Sequence, residues 1–174
     1  MIPTEIKEKI FTNRFSIEET KNFFSKEYDY STSLIELLNE ALDELNPIAI
    51  ETLMYASSCN GHLDSRYSEI MKKLLLESKI LNHNLESVAE SLQFIKDPTS
   101  IESLYQACQN HLPSDIHSIP LKAMWAIRDI GTEEAKNTLL RLTKDTNPKL
   151  KKIAIQQLAY FKERNQSNKL ENER

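Results

Sequence analysis

The chain has 174 residues, 40% of them hydrophobic, with 26 acidic against 22 basic side chains and a net charge of −4. That length suits one domain, large enough to bury about two-thirds of the surface its unfolded chain exposes. Its only glycines, Gly61 and Gly131, leave no glycine-rich phosphate loop, no dinucleotide fingerprint and little scope for tight hairpins, which excludes Rossmann, P-loop and most all-β folds.

Helix signals then run almost end to end. Pro3 opens a helix with Ile6, Ile10 and Phe11 on one face, and Ser16-Ile17-Glu18-Glu19 reads as a capping box for a second, with Phe23 and Phe24 on its buried side. Ser31 or Ser33 caps a third, where Leu34, Leu37, Leu38, Ala41, Leu42 and Leu45 recur at helical spacing. Pro47 starts a fourth, reaching about Cys59 and ended by Asn60-Gly61; a fifth is expected over Leu63 to Ser78. Further helices are expected near 84–96, 98–110, 118–130, 132–145 and 148–161, joined by short connections. From Lys162 onward only Leu170 is a large aliphatic residue, so 162–174 reads as a frayed tail.

Charge is uneven. Residues 1–120 hold 19 acids and 10 bases, residues 121–174 hold 7 acids and 12 bases. Phosphate affinity needs many positive contacts, which disfavours nucleic acid; an acidic body suits a basic partner, and a merely solvated acidic surface is the plainer alternative. Cys59 and Cys108 lie in apolar helical patterns and read as reduced, buried thiols. His62, His83, His111 and His117 form no helical pair, and neither cysteine has a ligand neighbour at metal spacing. The expectation is therefore no metal, no cofactor and no catalytic set. No stretch approaches the ~18 apolar residues of a membrane span, and Met1-Ile2-Pro3-Thr4-Glu5-Ile6-Lys7 lacks a signal-peptide layout. A cytoplasmic address is expected.

Internal similarity decides the architecture. Ile48-Ala49-Ile50-Glu51-Thr52-Leu53-Met54-Tyr55 matches Ile153-Ala154-Ile155-Gln156-Gln157-Leu158-Ala159-Tyr160 at an offset of 105 residues, and two weaker copies fit between. With Ala49, Val88, Ala123 and Ala154 as reference, position +4 is Leu53, Leu92, Ile127 or Leu158, and +7 is Ala56, Ile95, Ile130 or Phe161. Those three positions share a buried face at 100° per residue, so +2 and +6 point away from it. Position +2 holds Glu51, Glu90, Trp125 and Gln156; position +6 holds Tyr55, Phe94, Asp129 and Tyr160.

The runs Ile127-Arg128-Asp129-Ile130-Gly131-Thr132-Glu133-Glu134-Ala135 and Asp145-Thr146-Asn147-Pro148-Lys149-Leu150-Lys151-Lys152-Ile153-Ala154 resemble HEAT-like repeats of the phycobilisome-lyase type. Asn46-Pro47 repeats the second run's turn, and Asp97-Pro98 is similar to the family's junction before a first helix. The resemblance implies an all-α, right-handed α-solenoid: N-terminal capping helices over 1–30, then four helix pairs at 31–58, 62–96, 98–130 and 132–161. It also implies that second helices line a concave face, which makes Glu51, Tyr55, Glu90, Phe94, Trp125, Asp129, Gln156 and Tyr160 a candidate partner-binding ladder, unless the twist tucks its rings against flanking helices.

Such folds serve as scaffolds, inhibitors and occasionally enzymes. The favoured expectation is a non-enzymatic binding module, monomeric before complex formation. Its sharpest form is a bacterial immunity protein that neutralises a basic, nuclease-like toxin. Two alternatives stand beside it. One is a general scaffold or adaptor. The other is an alkylpurine DNA glycosylase of HEAT-like type, since Trp125-x-x-x-Asp129 is similar to the ring and acid of those enzymes and Lys151 and Lys152 could meet phosphate.

Overall fold

The computed structural model describes residues 1–12, 14–24, 29–59, 63–77, 85–110 and 119–172, with only helical backbone over 162–172. Among them the protein is all-α, with ten helices and no strand. They are α1 (Thr4–Phe11), α2 (Ile17–Phe23), α3 (Ser31–Asp43), α4 (Pro47–Cys59), α5 (Ser68–Leu76), α6 (Leu85–Ile95), α7 (Ile101–Asn110), α8 (Ile119–Ile130), α9 (Glu133–Leu142) and α10 (Pro148–Asn172).

Local chemistry starts and stops these helices. Ser16 Oγ accepts from the Glu19 N–H at 3.2 Å while the Ser16 N–H donates to Glu19 Oε2 at 2.8 Å, so the capping box of α2 is complete. Neither Ser31 nor Ser33 caps α3. Tyr30 occupies the cap position without a side-chain bond, and Asp29 just before it accepts from the Ser31 N–H at 2.9 Å. Asn46 Oδ1 accepts from the Ala49 N–H at the start of α4, and Asn147 Oδ1 from the Lys149 N–H at the start of α10. The helix expected from Leu63 begins later. Asp64 accepts from the Arg66 N–H, a 3-10 turn covers Ser65–Tyr67, and α5 follows.

Leu45 and Lys96 both take left-handed backbone, with φ of 54° and 55°. Each ends a helix immediately before an Asx-Pro pair, Asn46-Pro47 or Asp97-Pro98. At Leu45 the Asn46 N–H returns to the Ala41 carbonyl, as in a Schellman motif with leucine at the usual glycine position. Gly131, at φ 77°, makes the corresponding stop after α8 without a side-chain penalty. Over 162–172, where a frayed tail was expected, α10 continues as helix, in keeping with the good helix formers Lys162, Glu163 and Arg164.

Packing pairs α3 with α4, α5 with α6, α7 with α8 and α9 with α10, and α8 also lies against α6 and α10. All four reference residues, Ala49, Val88, Ala123 and Ala154, are fully buried, as are Leu53, Leu92 and Ile127 beside them. A small side chain at the reference position lets the partner backbone come close, while the aliphatic one turn on fills the space. Helices α1 and α2 cover α4, with Ile10, Phe15 and Phe24 buried. Phe15, Phe23, Phe24 and Tyr30 form an aromatic cluster there, and the Asn46 amide donates to the Phe11 carbonyl.

Candidate functional site

Helices α4 and α6 are consecutive second members of their pairs, yet they scarcely touch. Between them, with α2 as a third wall, lies a cleft of about 620 Å³. Its α4 wall is Ile48, Glu51, Thr52 and Tyr55 together with Met54 and Ser58, and its α6 wall is Ser87, Glu90, Ser91 and Phe94. Relative to Ala49 and Val88 the two walls share positions −1, +2, +3 and +6, which puts a Glu-x-x-x-aromatic pair on each. Phe15, Ile17 and Thr20 close the α2 side.

The cleft gathers apolar surface that a folded chain normally covers. Phe94 is 77% exposed, Ile17 71%, Ile48 43% and Tyr55 36%. No internal packing accounts for this grouping, and contiguous exposed apolar side chains mark contact sites. The neighbouring Cys59 thiol raises the Tyr55 hydroxyl pKa. Glu51 is exposed and has no bonded partner among the described residues. Glu90 receives a hydrogen bond from Lys122 on Oε1 and keeps 44% of its side chain exposed.

The other half of the expected ladder behaves differently. Trp125 is half-buried, with Lys122 Nζ 4.8 Å above its ring centre, so it is not the free anchor expected of an open groove. Asp129 lies 15% exposed and clamped. Arg128 Nε donates to its Oδ1 at 2.8 Å and Nη2 to its Oδ2 at 3.0 Å, and Gln93 donates to it from α6. Arg128 Nη1 also donates to Gln157 Oε1 at 2.9 Å, and its guanidinium lies 6.0 Å from the Tyr160 ring. Tyr160 and Gln156 are exposed.

The structure therefore brings Glu51, Tyr55, Glu90 and Phe94 together in the cleft, and places Trp125, Asp129 and Tyr160 along a seam held by Lys122 and Arg128, whereas Gln156 is exposed and its neighbour Gln157 makes the bond to Arg128. The cation members of that seam, Lys122 and Arg128, were missed as partners. Lys122 was legible in principle, because it is the −1 residue of α8, equivalent to Ile48. Ile17 escaped because the capping helices carry no repeat.

Cys108 is fully buried, its thiol donating to the Pro120 carbonyl at 3.7 Å, and burial pushes its pKa up, which makes it inert. Cys59 is only half-buried, not the buried thiol expected. The four histidines lie outside the described residues. Among the described residues no His, Cys, Asp and Glu grouping could hold a metal ion, and no helix is long and apolar enough to cross a membrane. No protein-family model, curated protein or solved structure matches the chain.

Proposed function

We propose that the chain is a non-enzymatic protein-binding module: a right-handed HEAT-like solenoid of four helix pairs (α3/α4, α5/α6, α7/α8 and α9/α10) capped by α1 and α2. Its partner is a basic protein. The concrete form of the reading is an immunity-type inhibitor, cytoplasmic, bacterial and monomeric until it meets a basic, nuclease-like toxin. One observation carries it. Four exposed apolar side chains line a single cleft together with the two carboxylates Glu51 and Glu90.

A hydrophobic centre with acidic flanks suits a basic partner on two counts: the apolar part supplies affinity and the acids supply approach rate. The glycosylase alternative fares worse. It needs an exposed ring at Trp125 and an acid free to face a developing cation at Asp129, whereas the ring is half-buried beneath Lys122 and the acid is held by Arg128 and Gln93. The adaptor alternative predicts several weak partners in place of one tight one.

Capture tests the reading. Tagged wild-type chain and a Glu51→Lys/Phe94→Ala double variant are exposed to the same extract, and retained proteins are identified and titrated. We expect one basic partner, bound at nanomolar affinity by the wild type and lost from the variant. Retention of the same proteins by both forms would remove the cleft from the function.

A further inference from the structure

We propose that the cleft between α2, α4 and α6 receives a basic amphipathic helix of the partner protein. An apolar side chain of that helix sits between Tyr55 and Phe94, and a lysine or arginine on the same helix reaches Glu51 and Glu90. The proposal rests on the protein-binding reading above and specifies what enters.

The shape of the site favours a helix. Among the described residues there is no strand, so a partner segment finds no sheet edge to extend, and a helix laid in a groove is the recognition mode that suits walls made of helices. Glu51 and Tyr55 are one turn apart on α4, and Glu90 and Phe94 one turn apart on α6. On an α-helix that spacing is about 6 Å along the axis. Each wall thus offers an apolar contact and a carboxylate at the interval at which a facing helix repeats its own side chains, i to i+4. A cleft of about 620 Å³ holds the anchor side chains of one helix face.

Charge selects the sign of the occupant. Among the described residues the only charged side chains lining the cleft are Glu51 and Glu90, on helices that together carry Glu18, Glu19, Glu51, Glu86 and Glu90 against Lys21. Lys122 occupies one oxygen of Glu90, while Glu51 has no cation of its own among the described residues. An anionic helix would bring its charge against the carboxylate of Glu51 at an apolar contact and be rejected. A cation lying beside Tyr55 and Phe94 gains the attraction of the ring faces as well.

A defined probe tests this with the full chain. Wild-type protein is titrated by two-dimensional NMR with a synthetic peptide bearing leucines on one helical face and lysines along its borders. Two controls have the lysines replaced by glutamate or a proline placed at the centre. We expect shifts confined to α2, α4 and α6, helix formation in the bound peptide, and affinity at least ~10-fold weaker for both controls. Glu51→Lys and Phe94→Ala should each weaken the basic peptide by at least ~10-fold, whereas Arg128→Ala should leave it unchanged. Equal binding of the proline peptide, shifts centred on α10, or indifference to both cleft substitutions would overturn the proposal. Spermine binding as tightly as the peptide would also overturn it, by showing a site for free cations. Absence of peptide binding overturns the helix but not the protein-binding reading, which stands or falls on the capture experiment.

Discussion

On α4 and α6 Ile48, Glu51, Tyr55 and Phe94 are exposed, while on α8 Lys122 and Asp129 at the equivalent positions bond to Glu90 and Gln93 of α6, and Gln157 of α10 accepts from Arg128. Among the described residues Glu51 stands without a partner, whereas Asp129, four residues beyond Trp125, holds Arg128 and Gln93. Tyr55 and Phe94 are exposed rims, whereas Trp125 lies under Lys122. The same helical face has thus gone two ways. Where second helices pack closely, long charged side chains meet across the gap and satisfy each other. Where α4 and α6 stand apart, they cannot, and the surface is left for something else.

The largest effect should come from breaking the satisfied half. Arg128→Ala removes the cation from a carboxylate that stays largely buried, together with the bond to Gln157 and the contact with Tyr160. A cost of ~2–3 kcal/mol is expected, somewhat below that of a fully buried pair, because both partners keep some water contact. For a domain of this size that lowers the melting temperature by about 5–10 °C. Calorimetry checks it, and partner affinity per folded molecule should not change.

Phe94→Ala inverts that pattern. The ring is so exposed that folding stability should move by no more than ~0.5 kcal/mol. Binding, by surface plasmon resonance, should weaken by at least ~2 kcal/mol, or about 30-fold. A melting loss as large as that of Arg128→Ala would mean that the two halves do not differ as described.

Smaller still is the effect of Glu51→Lys on the association rate. Long-range attraction should fall, slowing association by about 10-fold at low salt and flattening its salt dependence, with the dissociation rate changing less. Stopped-flow mixing at two ionic strengths separates the two rates.

The smallest expected effect is on the acid limb of stability in the N-terminal half. Hydrogen bonds from Ser31, then Arg66, hold the Asp29 pKa below the ordinary carboxylate range; Arg66 does the same for Asp64, and the Ser16 backbone N–H for Glu19. A carboxylate depressed on folding stabilises the native state above its unfolded pKa, near pH 4, and loses that contribution as pH falls through the lower folded value. Urea titrations should show constant stability above about pH 5 and a decline below about pH 4, with a shallower decline in Asp29→Asn. These groups are exposed, so the slope is modest.

Much of this molecule was legible before its coordinates. Periodicity placed most of the helices, because one buried stripe at 3.6-residue spacing is a property of the chain itself. The column alignment picked Glu51, Tyr55, Glu90 and Phe94 from the residues facing away from the core, for the same reason. Not legible was which columns would be filled from a neighbour. Glu90 with Lys122 and Asp129 with Gln93 lie 32 and 36 residues apart, and their meeting depends on helix separations that no local pattern encodes. Nor could sequence assign Ile17 to the cleft, since α2 belongs to no repeat and reaches that wall only by packing on α4. The chain determined by itself which faces are apolar, where turns fall and where charge accumulates, all of which follow from neighbours along the backbone. Tertiary structure alone decided that the side chains between α6 and α8 would bond to one another while those between α4 and α6 line a cleft. That choice rests on how closely the helices pack: α6 lies against α8, whereas α4 and α6 scarcely touch, and helix separation is a property of the whole core and not of any local pattern.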